Sequence, residues 1–379
     1  MAAAPSTWFS DGELARSRAY HRPLSRAARI RTAFRLGLLV CVHLAALTLF
    51  PAVTSERSDG LSQVLVGPLL ALAPLAGIAW WLPALVTDAW SEFRHEPKFD
   101  HIPLAVGRFA VGSLVALLMT VGTVLIGAVG LYSLVDQTSW WPTLAAFALV
   151  SLMVVARRFE RTLTAATHRV TPLDQAQAAP LVDLANRALT VTVDFGLMDA
   201  DHAQGLNAHS AGGRARPRIA LSPDLFSADE ELRSHIVAHE LRHLAARHIE
   251  VMAVATMIAA VAGVMGLAVV MRSARLLAVV GIERASDSRS LAVVMLVVVA
   301  MAIVAAVPLA WLSRGQERDA DAGAELLVGA LPLPHLRRLH VTERADLDPS
   351  LLARLFGAHP PPAERLQRAS RSSTVRIPL

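Results

Sequence analysis

Two histidines four residues apart with a glutamate beside the first, His239-Glu240-Leu241-Arg242-His243, offer the most specific chemistry in this chain. On a helix, residues four apart share a face, so both imidazoles can chelate one zinc ion. Glu240 then lies within reach of a water on that ion. Zinc lowers the pKa of such a water to about 7, and a neighbouring carboxylate can take its proton. The helix has a start signal, because Ser227-Ala-Asp-Glu230 matches a capping box. It is expected to run on through Arg247, with Ile236-Val-Ala238 and Leu244-Ala-Ala246 suiting a buried helix.

A second element, Ser313-Arg-Gly-Gln-Glu-Arg-Asp-Ala-Asp321, follows far along the chain. Glu317 and Asp321 are again four apart and share a helical face. Glu317 can supply a third protein ligand, and Asp321 can hold a ligand histidine by its other ring nitrogen. Without the first element, this pattern reads equally well as a solvated charged face. A third element, His359-Pro-Pro-Pro-Ala-Glu-Arg365, has prolines that favour a helix start. His359 and Arg365 can point back to the metal and stabilise a developing oxyanion; a plain Pro-rich loop fits nearly as well.

The order of these motifs, His-Glu-x-x-His, two apolar runs, Ser-Arg-x-x-Glu-x-x-Ala-Asp, then His-Pro and Arg, resembles the HtpX-type integral-membrane metallopeptidases. Their eukaryotic relatives are the type I CAAX prenyl-protein endopeptidases. The resemblance begins near residue 160. It implies a gluzincin-type zinc site with His239, His243 and Glu317 as ligands and one Zn2+ per chain. It also implies Glu240 as general base and Asp321 behind a ligand histidine. Asn207-Ala208 resembles the family's edge-strand segment that pairs with substrate. This chain has Leu206 where the family has Pro, and His209 where it has an aromatic residue.

His248 offers a competing third ligand. An all-histidine motif, however, needs its last His six residues after the second, with a Gly between to break the helix. Here Leu244-Ala-Ala-Arg247 are good helix formers. A continuous helix would turn His248 about 140° away from His243, out of reach of the same ion.

These elements need a frame. Of 379 residues, 54% are hydrophobic but only 5% aromatic, and the mean hydropathy is +0.45. That is too apolar for an ordinary soluble domain. Six apolar stretches run roughly from Phe34 to Val53, Val64 to Val86, Phe109 to Val135, Trp141 to Ala156, Val251 to Met271 and Leu291 to Leu312. All but the fourth reach the roughly 20 residues that a spanning helix needs. The expected fold is mainly α: a polytopic helical membrane protein of about six spans with a split α+β metalloprotease domain. Its parts are an Arg-rich segment 1–33, four spans in 34–156, catalytic halves 157–250 and 313–379, and a spanning hairpin 251–312. In the first half, Leu189–Asp194 and Arg218–Ser222 read as strands, with the stretch from Leu206 to Ser210 between them and a Gly212-Gly213 turn. The last dozen residues read as a mobile tail.

The net charge is +5 and the pI about 10.4, and Lys98 is the single lysine. The arginines cluster beside apolar runs, which fits cytoplasmic flanks of spans better than a nucleic-acid surface. Arg16 to Arg35 and Arg157 to Arg161 place the N-terminus and catalytic halves in the cytoplasm; Arg272, Arg275, Arg284 and Arg289 disagree. The expected location is the inner (plasma) membrane, and the Ala/Arg-rich usage resembles a GC-rich bacterial genome. Cys41 is the single cysteine, which excludes an intrachain disulfide and a Cys-based zinc site. The expected partners are protein or peptide substrates and the lipid bilayer, with no nucleic acid. The expected activity is endoproteolysis of membrane or misfolded proteins at the cytoplasmic face. Two other classes stay open: a membrane sensor whose protease domain cuts a regulator, and a non-catalytic scaffold or transporter.

Overall fold

The structure, a computed structural model, describes residues 4–54, 61–99, 103, 105–136, 170–189, 191–198, 205–211, 217–279, 281 and 290–374. Three long helices come first: α1 (Asp11–Thr54), α2 (Leu61–Trp90) and α3 (Val106–Asp136). A mixed segment follows, with β1 (Val170–Pro172), α4 (Gln175–Ala188), β2 (Asp194–Met198), β3 (Ala208–Ala211) and β4 (Arg218–Leu221). Then come α5 (Pro223–Phe226), α6 (Glu230–Ala245), α7 (His248–Arg272), α8 (Ala274–Val279) and α9 (Ser290–Val328). The chain closes with α10 (Leu333–Thr342), α11 (Leu351–Phe356) and α12 (Pro362–Thr374).

One compact unit gathers residues 1–24, 159–253 and 307–379, and a second comprises 25–158 and 254–306. The first unit holds the sheet, ordered β1-β2-β4-β3. β2 and β4 run parallel in the middle, while β1 and β3 pair antiparallel at the edges. Ile219 and Leu221 of β4 are completely buried beneath Leu232, Val237 and Leu241 of α6 and Leu366 of α12. That apolar layer fixes the roll of α6, and so decides which way its polar residues face.

Local chemistry sets the element ends differently from the sequence expectation. Among the described residues of Leu189–Asp194, only Asp194 belongs to a strand. Leu189 caps α4, and β2 begins only at Asp194, where Phe195 can bury. The Ser227–Glu230 capping box does not form. Ser227 closes α5, and Asp229 stands at the α6 N-cap without a capping bond from its side chain. The working cap is Ser222, whose hydroxyl accepts the Leu225 and Asn207 N–H groups and donates to the Gly205 carbonyl. The expected Gly212-Gly213 turn lies outside the described residues. Residues 368–374, expected to be part of a mobile tail, continue α12 with Ala369 buried, and residues 375–379 lie outside the described residues.

The Arg-rich N-terminus also contributes to this unit. Phe9 and Leu14 bury in its core with Leu336 and Leu339. Glu13 pairs with Arg337, and Arg18 pairs with Asp348. Ser17 both accepts from Leu347 N–H and donates to the Ala345 carbonyl, which fixes the loop after α10.

In the second unit, α2 packs against α3 where Gly77 meets Val121; a Cβ at Gly77 would lie 3.0 Å from the Val121 Cα. Small residues permit such close helix approach. Arg31 pairs with Asp88, and the Arg35 guanidinium lies over the Trp80 ring. Five of the six apolar stretches fall within single helices (α1, α2, α3, α7 and α9), and the fourth lies outside the described residues. Among the described residues, Val106–Thr123 and His248–Arg272 are long and apolar enough to cross a membrane.

Candidate metal centre

α6 presents His239 and His243 on one face, and α9 presents Glu317 opposite them. One ligand atom from each of the three lies within 4.8 Å of the others. The two Nε2 atoms are 3.1 Å apart. Glu317 approaches His239 Nε2 at 3.6 Å and His243 Nε2 at 3.7 Å. Two imidazole nitrogens and a carboxylate, converging and largely buried, suit zinc by ligand type and number. Catalytic zinc sites typically have three protein ligands and take water or substrate as the fourth.

The surroundings demand positive charge. Burial opposes protonation of His239, but Asp321 and Glu317 outweigh it and lift its pKa to about 9. His243 goes the other way, to about 4, through burial and then the nearby His239. Glu317 and Asp321 stay far below the usual carboxylate range despite burial, because His239, His359 and Arg365 face them.

Glu240 lies beside this group. Burial raises its carboxyl pKa against the pull of His239 and Ser210. The Ser210 N–H donates to Glu240 Oε2 at 3.2 Å. Strand β3 therefore holds the carboxylate in place. Asp321 Oδ1 lies 3.1 Å from His239 Nδ1. His359 Nδ1 lies 3.1 Å from Glu317 Oε2.

A model of peptidase family M48 matches residues 175–373, which is 199 of 379 residues. The chain belongs to peptidase family M48. It is a metalloprotease. Among solved structures it is similar to "Crystal Structure of S. mikatae Ste24p", with a TM-score of 0.70 and 17% identity. That alignment covers 97% of this chain and 91% of the other, so the shared fold extends well beyond the M48 segment. No curated protein sequence matches.

In this M48 peptidase two placements differ from the sequence expectation. Arg365 does not point at the metal group with its Nε and Nη2. Both donate to Asp321, which in turn holds His239. His248 is not turned away. α6 stops at Ala245, and Arg247 takes a positive φ of 57°. A new helix then starts at His248, whose Nδ1 lies 2.9 Å from His243 Nδ1. Asp319 was missed altogether: it binds Arg242 with both oxygens and His248 Nε2 at 3.1 Å. No sequence signal marked the break, because Arg247 is neither Gly nor Asn, the usual residues for that conformation. One trace existed in Gly323. A Cβ there would come within 2.5 Å of Arg242 Cγ, so the glycine leaves room for that side chain.

Proposed function

We propose that the chain is a membrane-embedded zinc endopeptidase that cleaves membrane or misfolded proteins at the cytoplasmic face. The observation that carries this reading is the convergence of His239, His243 and Glu317 beside the partly buried Glu240. His239, His243 and Glu317 would hold one zinc ion, which supplies Lewis acidity toward water and a peptide carbonyl. Glu240 accepts the water's proton and returns it to the leaving amine. A raised pKa suits both halves of that task. The Ser210 N–H keeps the carboxylate aimed while its charge changes. His359, raised above its ordinary pKa by its hydrogen bond to Glu317, can donate to the developing oxyanion. Arg365 acts through Asp321 on the orientation of His239.

The peptide lies along β3, an edge of the sheet. The Ser222 N–H donates to the Asn207 carbonyl at the end of the β3–β4 ladder, the Asn207 N–H donates to Ser222 Oγ, and the Ser210 N–H turns the opposite way to Glu240. Alternation then directs the Ala208 N–H and C=O to the open edge. An extended substrate can pair there, within reach of Glu240. Asn207 and His209, joined by a 3.3 Å contact, flank that edge and would meet substrate side chains.

The bilayer reading rests on the apolar helices and their outward side chains, such as Val111 and Leu118 of α3 and Ile258 of α7, each more than 60% exposed. Six spans, with the N-terminus and both catalytic halves cytoplasmic, fit the arginine clusters at 16–35 and 157–161, against the four arginines between 272 and 289. Reporter fusions after Arg158 and Arg314 test this, and a periplasmic signal from either breaks the topology. Metal analysis of purified protein tests the function, with digestion of casein or a membrane protein and Glu240→Gln as control. Parent protein that binds no zinc and cleaves nothing would refute it.

A further inference from the structure

The polar contacts of His243 form a chain whose direction can be worked out. Asp319 accepts two bonds from Arg242, from Nε to Oδ2 at 2.8 Å and from Nη2 to Oδ1 at 2.9 Å. A carboxylate held in this way has no proton to give. His248 Nε2, 3.1 Å from Asp319 Oδ2, is therefore the donor in that contact. A neutral imidazole has one N–H, so His248 Nδ1 carries a lone pair. The 2.9 Å contact between His248 Nδ1 and His243 Nδ1 needs one donor, which must be His243. His243 then has its proton on Nδ1, and its Nε2 lone pair faces His239 and Glu317.

We infer that His248 is a positioning residue for the metal centre. Fixed by Asp319 and Arg242, it selects the His243 tautomer that presents Nε2 to zinc. The inference rests on the zinc reading above and adds a residue to it. Two features show that the placement is built into the fold. His248 is buried, and its carbonyl accepts a 3.0 Å bond from Gln316 Nε2 of α9. The left-handed turn at Arg247 brings its ring back over His243, where an unbroken helix would carry it away. One stripe of α9, Gln316 and Asp319, holds His248, while the adjacent stripe, Glu317 and Asp321, serves the metal and His239.

This assignment separates polarity from bulk. A glutamine at 248 can accept from His243 through its amide oxygen and donate to Asp319 through its amide nitrogen. A leucine fills similar space and can do neither, which leaves the His243 N–H unsatisfied. The test is zinc affinity of the full-length protein in detergent, by competition with a chromophoric chelator, with Co2+ absorption as a second readout. His248→Leu should lose affinity by roughly 10–100-fold, the scale for outer ligand partners. His248→Gln should recover most of it with the parent's Co2+ bands. Parent affinity in His248→Leu overturns the inference, as does an equal loss in Leu and Gln variants. Altered Co2+ bands in His248→Gln would make His248 a direct ligand and also overturn it. A parent that binds neither ion defeats the zinc reading itself, so the two failures are distinguishable.

Discussion

The two histidines that face the metal position are backed in unlike ways. His239 meets a carboxylate directly: Asp321 binds its Nδ1, and Arg365 holds Asp321 from behind. His243 meets a carboxylate through an intermediate imidazole: His248 contacts its Nδ1, Asp319 holds His248, and Arg242 holds Asp319. Both arms end on an arginine–aspartate pair, but the environments differ. The Asp321–Arg365 side chains are only 15% and 16% exposed, against 40% and 41% for Asp319 and Arg242. An ion pair at low exposure is weakly screened, and losing one partner strands the other charge. A half-exposed pair is screened by water and salt, and contributes little beyond orientation. The buried arm therefore sets the electrostatics of the centre, while the open arm mainly sets a ring orientation.

The largest expected effect belongs to neither arm and calibrates the comparison. Glu240→Gln should keep zinc but lower kcat by roughly 10²–10⁴-fold, the scale of general-base removal. A mutant as active as the parent would remove Glu240 from the chemistry.

Asp321→Ala and Asp319→Ala then compare the arms directly. Both should weaken zinc binding within the roughly 10–100-fold range of outer ligand partners, with Asp321→Ala at the upper end. Asp321→Ala should also lower the Tm of the metal-free protein, because it leaves the buried Arg365 without its partner. Asp319→Ala should leave that Tm nearly unchanged. Chelator competition and thermal unfolding on the same samples decide the order, and a larger effect from Asp319→Ala would invert the comparison.

Protons offer a subtler contrast. In metal-free protein His239 titrates at about 9 and His243 at about 4. At pH 7 zinc must therefore displace a proton from His239 and none from His243. Apparent affinity should climb as pH rises toward about 9 and then level, and zinc uptake at pH 7 should release one proton. The sign carries over to folding. The raised pKa of His239 stabilises metal-free protein below its unfolded value of about 6.5, and that contribution is lost as pH rises through about 9. Asp321→Asn should shrink the proton release measured by calorimetry in buffers of different ionisation enthalpy. Equal release from parent and variant would detach Asp321 from His239.

The smallest effect lies away from both arms. Ala208→Pro removes a donor from the open edge of β3 without touching the bonds to β4. It should raise KM by about 2–10-fold, the worth of one hydrogen bond, with zinc affinity unchanged. An unchanged KM would move the peptide to another surface.

The parts of this site that were legible in the sequence share a physical character. His239, Glu240 and His243, and again Glu317 and Asp321, are set by spacing along one helix, where geometry alone puts side chains on one face. The apolar stretches are legible because run length measures what a helix must bury or expose to lipid. Strand β4 was legible as a short run bounded by turn residues, whereas the Leu189–Asp194 alternation gave way to the α4 cap. The Ser227 box failed because α5, a single turn, had already used that serine to close itself.

By itself, the sequence determined the family, through the order of its motifs, and the helical faces that carry the candidate ligands, since each motif depends on residues within a turn or two of one another. Only the tertiary structure decided the rest. It turned the chain at Arg247, set His248 between His243 and Asp319, and drew Arg365 onto Asp321. It also docked Phe9 and Leu14 of the Arg-rich N-terminal segment into the same core as α6 and α10. Each of these joins groups whose pairing depends on how α6, α7, α9, α10 and α12 pack. Hydrogen bonds and ion pairs follow the side chains that packing brings together, and no local spacing rule reports which distant residue will arrive.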